Sequence, residues 1–402
     1  MILSYDCSVT YPKGFMANGT IAGIKANGSY DLGVIASERT AVAAAVFTRN
    51  RFEAAPINVS RRNLARSGSK ARAIVVNSGC ANALTGNKGL KSAQKTVSEV
   101  ARRLHISQNE VLVASTGVIG RHLPIDSIRL SIPNLISGLT ADPDNHFPQS
   151  IMTTDRFPKQ VATEVSLSKS KKFRIGATAK GAGMIHPNMA TMLCFVTTDA
   201  GLDRKSLKSA LVYAVDRSFN TITVDGDTST NDSVFVLANG VSGVQIRTKA
   251  EREVFSEALT EVLRTLAMMI VRDGEGATRF VKLKVENAAT YEDAVEVGRA
   301  VGTSPLVKTA IFGGDPNWGR VVSAVGNSGA KYDPSKVELK VGSISVFRRD
   351  EPQKFDTQAL EQLFSKKEIE MTIRLNAGKE SAQVFTCDLS YDYVKINGEY
   401  TT

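Results

Sequence analysis

Residues 180–196 read Lys-Gly-Ala-Gly-Met-Ile-His-Pro-Asn-Met-Ala-Thr-Met-Leu-Cys-Phe-Val, a stretch that sharply restricts how the chain can fold. Gly181 and Gly183 permit positive φ and close approach of other groups. Pro187 fixes its own φ and bars a helix from running through it. From Met192 to Val196 the residues are apolar enough for a buried strand. Thr191 thus heads a buried strand fed by a glycine-rich loop, where a nucleophile would be rigidly held. Taken alone, the same pattern also describes an ordinary loop entering a core strand.

The surrounding periodicities are those of a mixed α/β protein. Ala71 to Val76 is an apolar β-type run ending in the turn-rich Asn77-Ser78-Gly79. Leu90, Ala93, Val97, Val100 and Leu104 recur at helical spacing, and Val111 to Ala114 reads as a second buried strand opening into Ser115-Thr116-Gly117. Helices are predicted over about 205–217 and 251–271. In the C-terminal part, 336–347, 368–375 and 382–396 alternate apolar and polar residues, as half-buried antiparallel strands do. Such mixtures suggest a sandwich with sheets inside and helices outside. The Pro-containing loop at 140–148 is the best candidate for a connection between lobes.

With 402 residues, 42% of them hydrophobic and 22% charged, the chain is expected to build a large core and two lobes. The net charge of +10 raises the question of nucleic acid. The basic clusters at Arg61, Arg62 and Arg66, and at Lys169, Lys171, Lys172 and Arg174, lack interleaved aromatics and any DNA-binding motif, so they read as solvated faces. Cys7, Cys80, Cys194 and Cys387 form no CxxC pair and look like reduced thiols, with no metal site expected. No apolar run is long enough for a membrane span, and the start shows no export signal, so a soluble cytoplasmic protein is expected.

Four further segments accompany the Lys180–Val196 stretch. They are Val76-Asn77-Ser78-Gly79-Cys80-Ala81-Asn82-Ala83, Ser115-Thr116-Gly117-Val118-Ile119-Gly120, Gly314-Asp315-Pro316-Asn317-Trp318-Gly319-Arg320 and the terminal Asn397-Gly398-Glu399-Tyr400-Thr401-Thr402. Together, and in this order, they resemble the self-cleaving ornithine acetyltransferase (glutamate N-acetyltransferase) family of arginine biosynthesis over essentially the whole chain. The resemblance implies an α/β fold, a layered α/β/β/α sandwich of mixed sheets with outer helices. It also implies autocatalytic cleavage between Ala190 and Thr191, giving an α chain of 1–190 and a β chain of 191–402 that stay associated, two of each in a heterotetramer.

By the same resemblance Thr191 is the nucleophile and Thr116 and Gly117 form the oxyanion hole. The substrate-binding residues would be Lys180, Glu275, Asn397, Thr402, Thr191 and one of Thr153 and Thr154. The implied substrates are N-acetylornithine and glutamate. No cofactor is implied; acetyl-coenzyme A is a co-substrate for some family members, and nothing legible here separates the one-function from the two-function type. A freed α-amino group has a reference pKa near 7.7–8.0, so Thr191 would carry its own base. Cys80 reads as a packed thiol, His186 as a loop-positioning residue and Trp318 as a buttress of the site. The rival readings are a self-cleaving aminopeptidase or amidohydrolase, resolved by water instead of glutamate, and a non-enzymatic binding protein.

Overall fold

The computed structural model describes residues 2–143, 145–186 and 192–399. It is built around a long strand that changes layers. After β1 (Leu3–Ser4) and β2 (Phe15–Thr20), the 16-residue β3 (Leu32–Phe47) pairs with β2 and with β4 (Lys70–Asn77) along its first half. A register irregularity between Ala36 and Ala41 interrupts the ladder, and beyond it residues 42–47 pair with β9 (Ser233–Ala238). Bulges of this kind bend the strand that carries them. Beside β4 lies β5 (Val111–Ser115). On the other side of β9 follow β8 (Leu193–Thr198), β7 (Lys172–Lys180), β6 (Lys159–Ser166) and β1, so nine described strands form one sheet.

Side-chain alternation shows how this sheet turns on itself. Ile35, Ile74, Val76, Leu112 and Ala114 from one half share a core with Leu193, Phe195, Phe235 and Leu237 from the other. Phe195 stacks on Phe235 at 5.7 Å and meets Phe147 edge-on at 5.4 Å. Alternate residues of the first half, Val34, Val75 and Val113, face α2 (Gly86–Leu104) and α3 (Ile125–Ser137), with α1 (Ala55–Arg66) alongside. On the opposite outside, Cys194, Val196, Val234 and Val236 face α5 (Arg204–Asp216) and α6 (Lys249–Arg272). Helix, sheet, sheet, helix is the layered α/β/β/α sandwich expected, and the helices over 90–104, 205–217 and 251–271 are observed nearly as predicted. The short α4 (Phe147–Ser150) plugs the layer between the sheets.

A second lobe follows α6. It comprises β10 (Phe280–Ala288), α7 (Tyr291–Thr303), α8 (Pro305–Gly313), α9 (Trp318–Gly326), β11 (Glu338–Val341), β12 (Ile344–Arg348), β13 (Glu351–Pro352), α10 (Thr357–Phe364), β14 (Glu368–Arg374) and β15 (Glu380–Cys387). Its sheet runs β13-β12-β11-β14-β10-β15. Val281, Leu283, Met371 and Val384 pack with Val297, Val301, Ile311 and Val325 of the helices. The alternate positions carry ion pairs such as Lys284–Glu370 and Arg374–Glu286. Phe280 and Phe385 stack on each other and join the core that includes α6, fixing this lobe to the first.

Three expectations are corrected here. The alternating stretch 382–396 is a strand only to Cys387; Tyr391–Glu399 is a helix, α11. The loop at 140–148 is not a lobe connection, because Thr140 exchanges backbone hydrogen bonds with Ala17 and Phe147 sits inside the sandwich. Trp318 does not adjoin the cavity described below: it packs on Phe347 at 5.9 Å in the second lobe.

Because Phe195 is fully buried between two sheets that cannot both close onto a void, Phe195→Ala should destabilise the protein by roughly 3–5 kcal/mol. Denaturant unfolding checks this, and a loss under about 1 kcal/mol would contradict the interlayer role assigned to the ring.

Candidate functional site

Strand ends from both sheet layers converge on a cavity of about 350 Å³. β5 ends at Ser115, and Thr116 with Gly117 lines the cavity next. The backbone of Thr116 is tied to Asn77, with its N–H donating to the Asn77 carbonyl at 2.9 Å. Gly117 has φ +124°, and a Cβ there would overlap the backbone of Gly79 and Cys80, so the turn requires glycine. Asn231 clamps the same region: its Nδ2 donates to the carbonyls of Ala81 (2.7 Å) and Ser115 (2.9 Å).

Lys180 is the last residue of β7 and is almost completely buried. Its Nζ donates to Thr116 Oγ1 at 3.4 Å. Burial lowers the pKa of this ammonium, opposed by the nearby carboxylates of Asp155, Glu275 and Asp232 and reinforced by the charge of Lys159. Asp155 accepts from Lys159 Nζ at 2.6 Å, from Gly181 N–H at 2.7 Å and from Thr153 N–H at 2.9 Å. Burial alone would raise the Asp155 carboxyl, but Lys180 and Lys159 outweigh it and hold the group at about 2. Lys159, with no exposed side-chain surface, is shared between Asp155 and Asp273, each at 2.6 Å. Asp273 also accepts from Arg156 Nε at 2.7 Å. This ion cluster underlies the loop that presents Thr153 and Thr154 to the cavity.

Glu275 lines the cavity from the turn between α6 and β10. Its N–H donates to the Ala182 carbonyl, and its Oε2 accepts from Asn397 Nδ2 at 3.0 Å. A Cβ at Gly183 would occupy the position of the Glu275 carboxylate, so glycine there is what lets the acid enter. Asn397 comes from α11, which brings the C-terminal segment to the cavity.

The structure therefore brings together Thr116, Gly117, Thr153, Thr154, Lys180, Glu275 and Asn397, all lining one cavity. Ala190, Thr191 and Thr402 lie outside the described residues. Cys80 is buried, its thiol donates to the Arg121 carbonyl at 3.2 Å, and burial pushes its pKa up, as befits a packed thiol. His186 Nδ1 meets Thr223 Oγ1 at 3.3 Å.

Sequence reasoning missed the carboxylates that hold the loops. Asp225 accepts from the N–H groups of Met184 (2.6 Å) and Ile185 (2.8 Å), and burial pushes its carboxyl up to about 6. Asp232 accepts from Met192 N–H at 3.1 Å, and burial pushes its carboxyl far above the usual range. The only signal for them was two acids flanking the polar run 225–232 just before the apolar β9. Lys25, half-buried at the cavity, was also missed: burial pulls it down to about 8, against the pull of Asp31, with Lys180 lowering it further.

A concave site with a buried cation, a glycine-framed hydroxyl and an opposed carboxylate defines an enzyme-like pocket for a small, charged molecule. Comparison with known proteins identifies the family. The ArgJ family matches residues 16–402. An arginine biosynthesis bifunctional protein ArgJ from Symbiobacterium thermophilum is 48% identical over 398 residues, covering 98% of each chain. One of the same name from Dehalococcoides mccartyi is 46% identical, covering 99% of this chain and 98% of the relative. A glutamate N-acetyltransferase from Methanocaldococcus jannaschii is 45% identical over 410 residues, covering 99% of both. The chain belongs to the ArgJ family, as its five motifs implied.

Asp155→Asn would leave Lys159 and Lys180 short of a buried counter-charge, and should cost roughly 3–5 kcal/mol at neutral pH. A carboxyl held at about 2 stabilises the fold above its unfolded value and loses that contribution as pH falls through roughly 4 to 2. Thermal unfolding from pH 7 to 2 should therefore show a steeper acid loss in the parent than in the variant. Parallel curves would disprove the assignment.

Proposed function

We propose that the chain is a self-cleaving acetyltransferase that moves the acetyl group of N-acetylornithine to glutamate through an acetyl ester on Thr191. It is a glutamate N-acetyltransferase of the ArgJ family. The observation that carries the reading is the convergence of Thr116, Gly117, Lys180, Glu275 and Asn397 on one cavity, although 281 residues of sequence separate the first from the last.

In this reading the Thr191 hydroxyl first attacks the Ala190 carbonyl. The amide becomes an ester by N-to-O shift, and water hydrolyses the ester, leaving chains of 1–190 and 191–402. The freed α-amino group then takes the proton of the Thr191 hydroxyl as it attacks the acetyl carbonyl. Charge on the tetrahedral oxygen is met by the Thr116 hydroxyl and the Gly117 N–H. The 3.4 Å contact from Lys180 Nζ supports this role for Thr116, because a hydroxyl that accepts from lysine keeps its own proton for donation. Ornithine leaves, glutamate attacks the ester, and N-acetylglutamate departs.

Lys180 offers a cation to the α-carboxylate of either substrate, with Thr153 or Thr154 beside it. Glu275, oriented by Asn397, offers a carboxylate to the δ-ammonium of ornithine. Thr402 completes the site, no cofactor takes part, and acetyl-coenzyme A enters only as an alternative acetyl donor. Two α and two β chains form the working assembly in the cytoplasm.

Denaturing intact-mass analysis, before and after brief exposure to N-acetylornithine, tests the reading. Two fragments dividing at Ala190–Thr191, with one acetyl group on the 191–402 fragment, are expected. Thr191→Ala should remain a single unmodified chain. Fragments that never carry an acetyl group and release free acetate would replace transfer by hydrolysis, and an uncleaved parent would overturn the nucleophile. Thr116→Val should lower kcat by about 100- to 1000-fold, the usual cost of one oxyanion donor, without preventing the fold; an unchanged kcat would remove Thr116 from the oxyanion hole.

A further inference from the structure

The proposed reaction asks one cavity to hold two unlike molecules in turn. N-acetylornithine carries a carboxylate at one end and an ammonium at the other. Glutamate, with its amine deprotonated for attack, carries two carboxylates and no cation. Lys180 and Glu275 together match the first molecule. They do not match the second, whose distal carboxylate would face Glu275 if it lay in the position of the ornithine ammonium, and like charges so placed repel.

Among the described residues, the charged ones lining the cavity are Lys25, Arg121, Lys180 and Glu275, three cations against a single carboxylate. That surplus suits a dicarboxylate. Arg121 is exposed at the mouth, whereas Lys25 is half-buried and held in place. Its stem lies against Gly79, where a Cβ would stand 2.9 Å from the Lys25 Cγ. Its Nζ donates to the Tyr30 carbonyl at 2.7 Å. The loop that bears it is fixed by fully buried Asp31, which accepts from the N–H groups of Ala22 (2.6 Å), Ile24 (2.6 Å) and Lys25 (3.0 Å). An ammonium fixed by one carbonyl still has two N–H bonds to offer. The charges acting on Lys25 are Asp31, Lys180 and Asp155, and those acting on Lys180 include Glu275. Lys25 comes from the loop between β2 and β3, and Glu275 from the turn after α6.

We propose that Lys25 is the specificity residue for the acyl acceptor, binding the distal carboxylate of glutamate while Glu275 serves the distal ammonium of ornithine. Lys180 holds the α-carboxylate common to both. This rests on the acetyl-transfer reading, but its dicarboxylate site can be tested apart from the chemistry.

Lys25→Met keeps the packed stem and removes the charge, and Lys25→Arg restores a cation. In steady-state transfer, Lys25→Met should raise the KM for glutamate about tenfold or more, while acetyl-enzyme formation from N-acetylornithine changes by less than about threefold. Its preference for glutamate over glutamine as acceptor should fall by a similar factor, and Lys25→Arg should recover much of it. In calorimetry, N-acetylglutamate should bind Lys25→Met about tenfold more weakly than the parent, with N-acetylglutamine unaffected; this arm needs no acetyl-enzyme, so it separates failure of the inference from failure of the reading. An unchanged affinity for N-acetylglutamate, or equal losses for the dicarboxylate and its amide, would overturn the assignment.

Discussion

Lys159 has no exposed side-chain surface and stands 2.6 Å from a carboxylate on either side. The lysine itself opens β6. Asp155 belongs to the loop before that strand and also receives the Gly181 N–H, while Asp273 closes α6 and leads directly to Glu275. The start of β6 with the loop before it, the end of β7 and the end of α6 are thereby locked together. Buried ion pairs are often no more stabilising than well-packed apolar groups of the same volume, so net stability is a poor explanation for this one. What it supplies is position: a buried charge has few places to go, and so the loops that carry its partners have few as well. Thr153, Thr154, Lys180 and Glu275 all lie within two residues of a member of the cluster or of a group bonded to it.

The sandwich provides the frame for this arrangement. Turning one sheet back on itself at the irregularity in β3 sets β5 and β7 in different layers, yet lets their ends meet over one cavity. Thr116 and Lys180, 64 residues apart, come within 3.4 Å because each is the end of, or the step after, a strand whose final residues are all buried. Strand ends inherit the rigidity of the layer behind them, a better support for a charged side chain than a free loop. The second lobe contributes Glu275 and Asn397 from its joining turn and its terminal helix, so the cavity is completed where the two lobes meet.

Much of this was legible in the sequence, and the failures have physical causes. Helices α2, α5 and α6 each bury one face against a sheet, so their apolar residues recur at helical spacing and their limits were read within a few residues. The run after Met192 is buried on both faces, and its unbroken apolar character announced β8. The stretch 382–396 misled because β15 is a strand up to Cys387, alternating at its start and buried from Val384 on, while α11 buries none of its residues and shows no apolar stripe to mark it as a helix. The loop at 140–148 looked like a hinge by composition, but Phe147 fills the interlayer core, a fact that depends on partners far away in sequence. The motifs pointed to residues of which the described ones share a single cavity, whereas Asp31, Asp155, Asp225, Asp232 and Lys25 carried no such signal. Each acts through contacts with backbone groups or charges that become neighbours only on folding, and a solitary Asp in a polar loop gives no sign of what it will bond.

The two flanks of residues 187–191 show the same principle at closer range. Upstream, Met184 adopts φ +57°, a conformation that costs a residue with a side chain of order 1 kcal/mol, and its N–H is held by Asp225 together with that of Ile185. The Ile185 carbonyl in turn accepts from Val224 N–H at 2.8 Å. Downstream, the N–H of Met192 donates to Asp232 and its carbonyl accepts from Ser233. At Met184 the two N–H bonds to the Asp225 carboxyl, each contributing on the order of 0.5–1.5 kcal/mol, offset the cost of the unfavourable backbone angle. Both flanks are fixed by the buried acids of one polar run, residues 225–232, and that run is itself fixed to the cavity wall through Asn231. The anchoring of Met184, Ile185 and Met192 and that of the turn at Ser115 and Thr116 therefore trace back to the same eight residues at the entrance of β9.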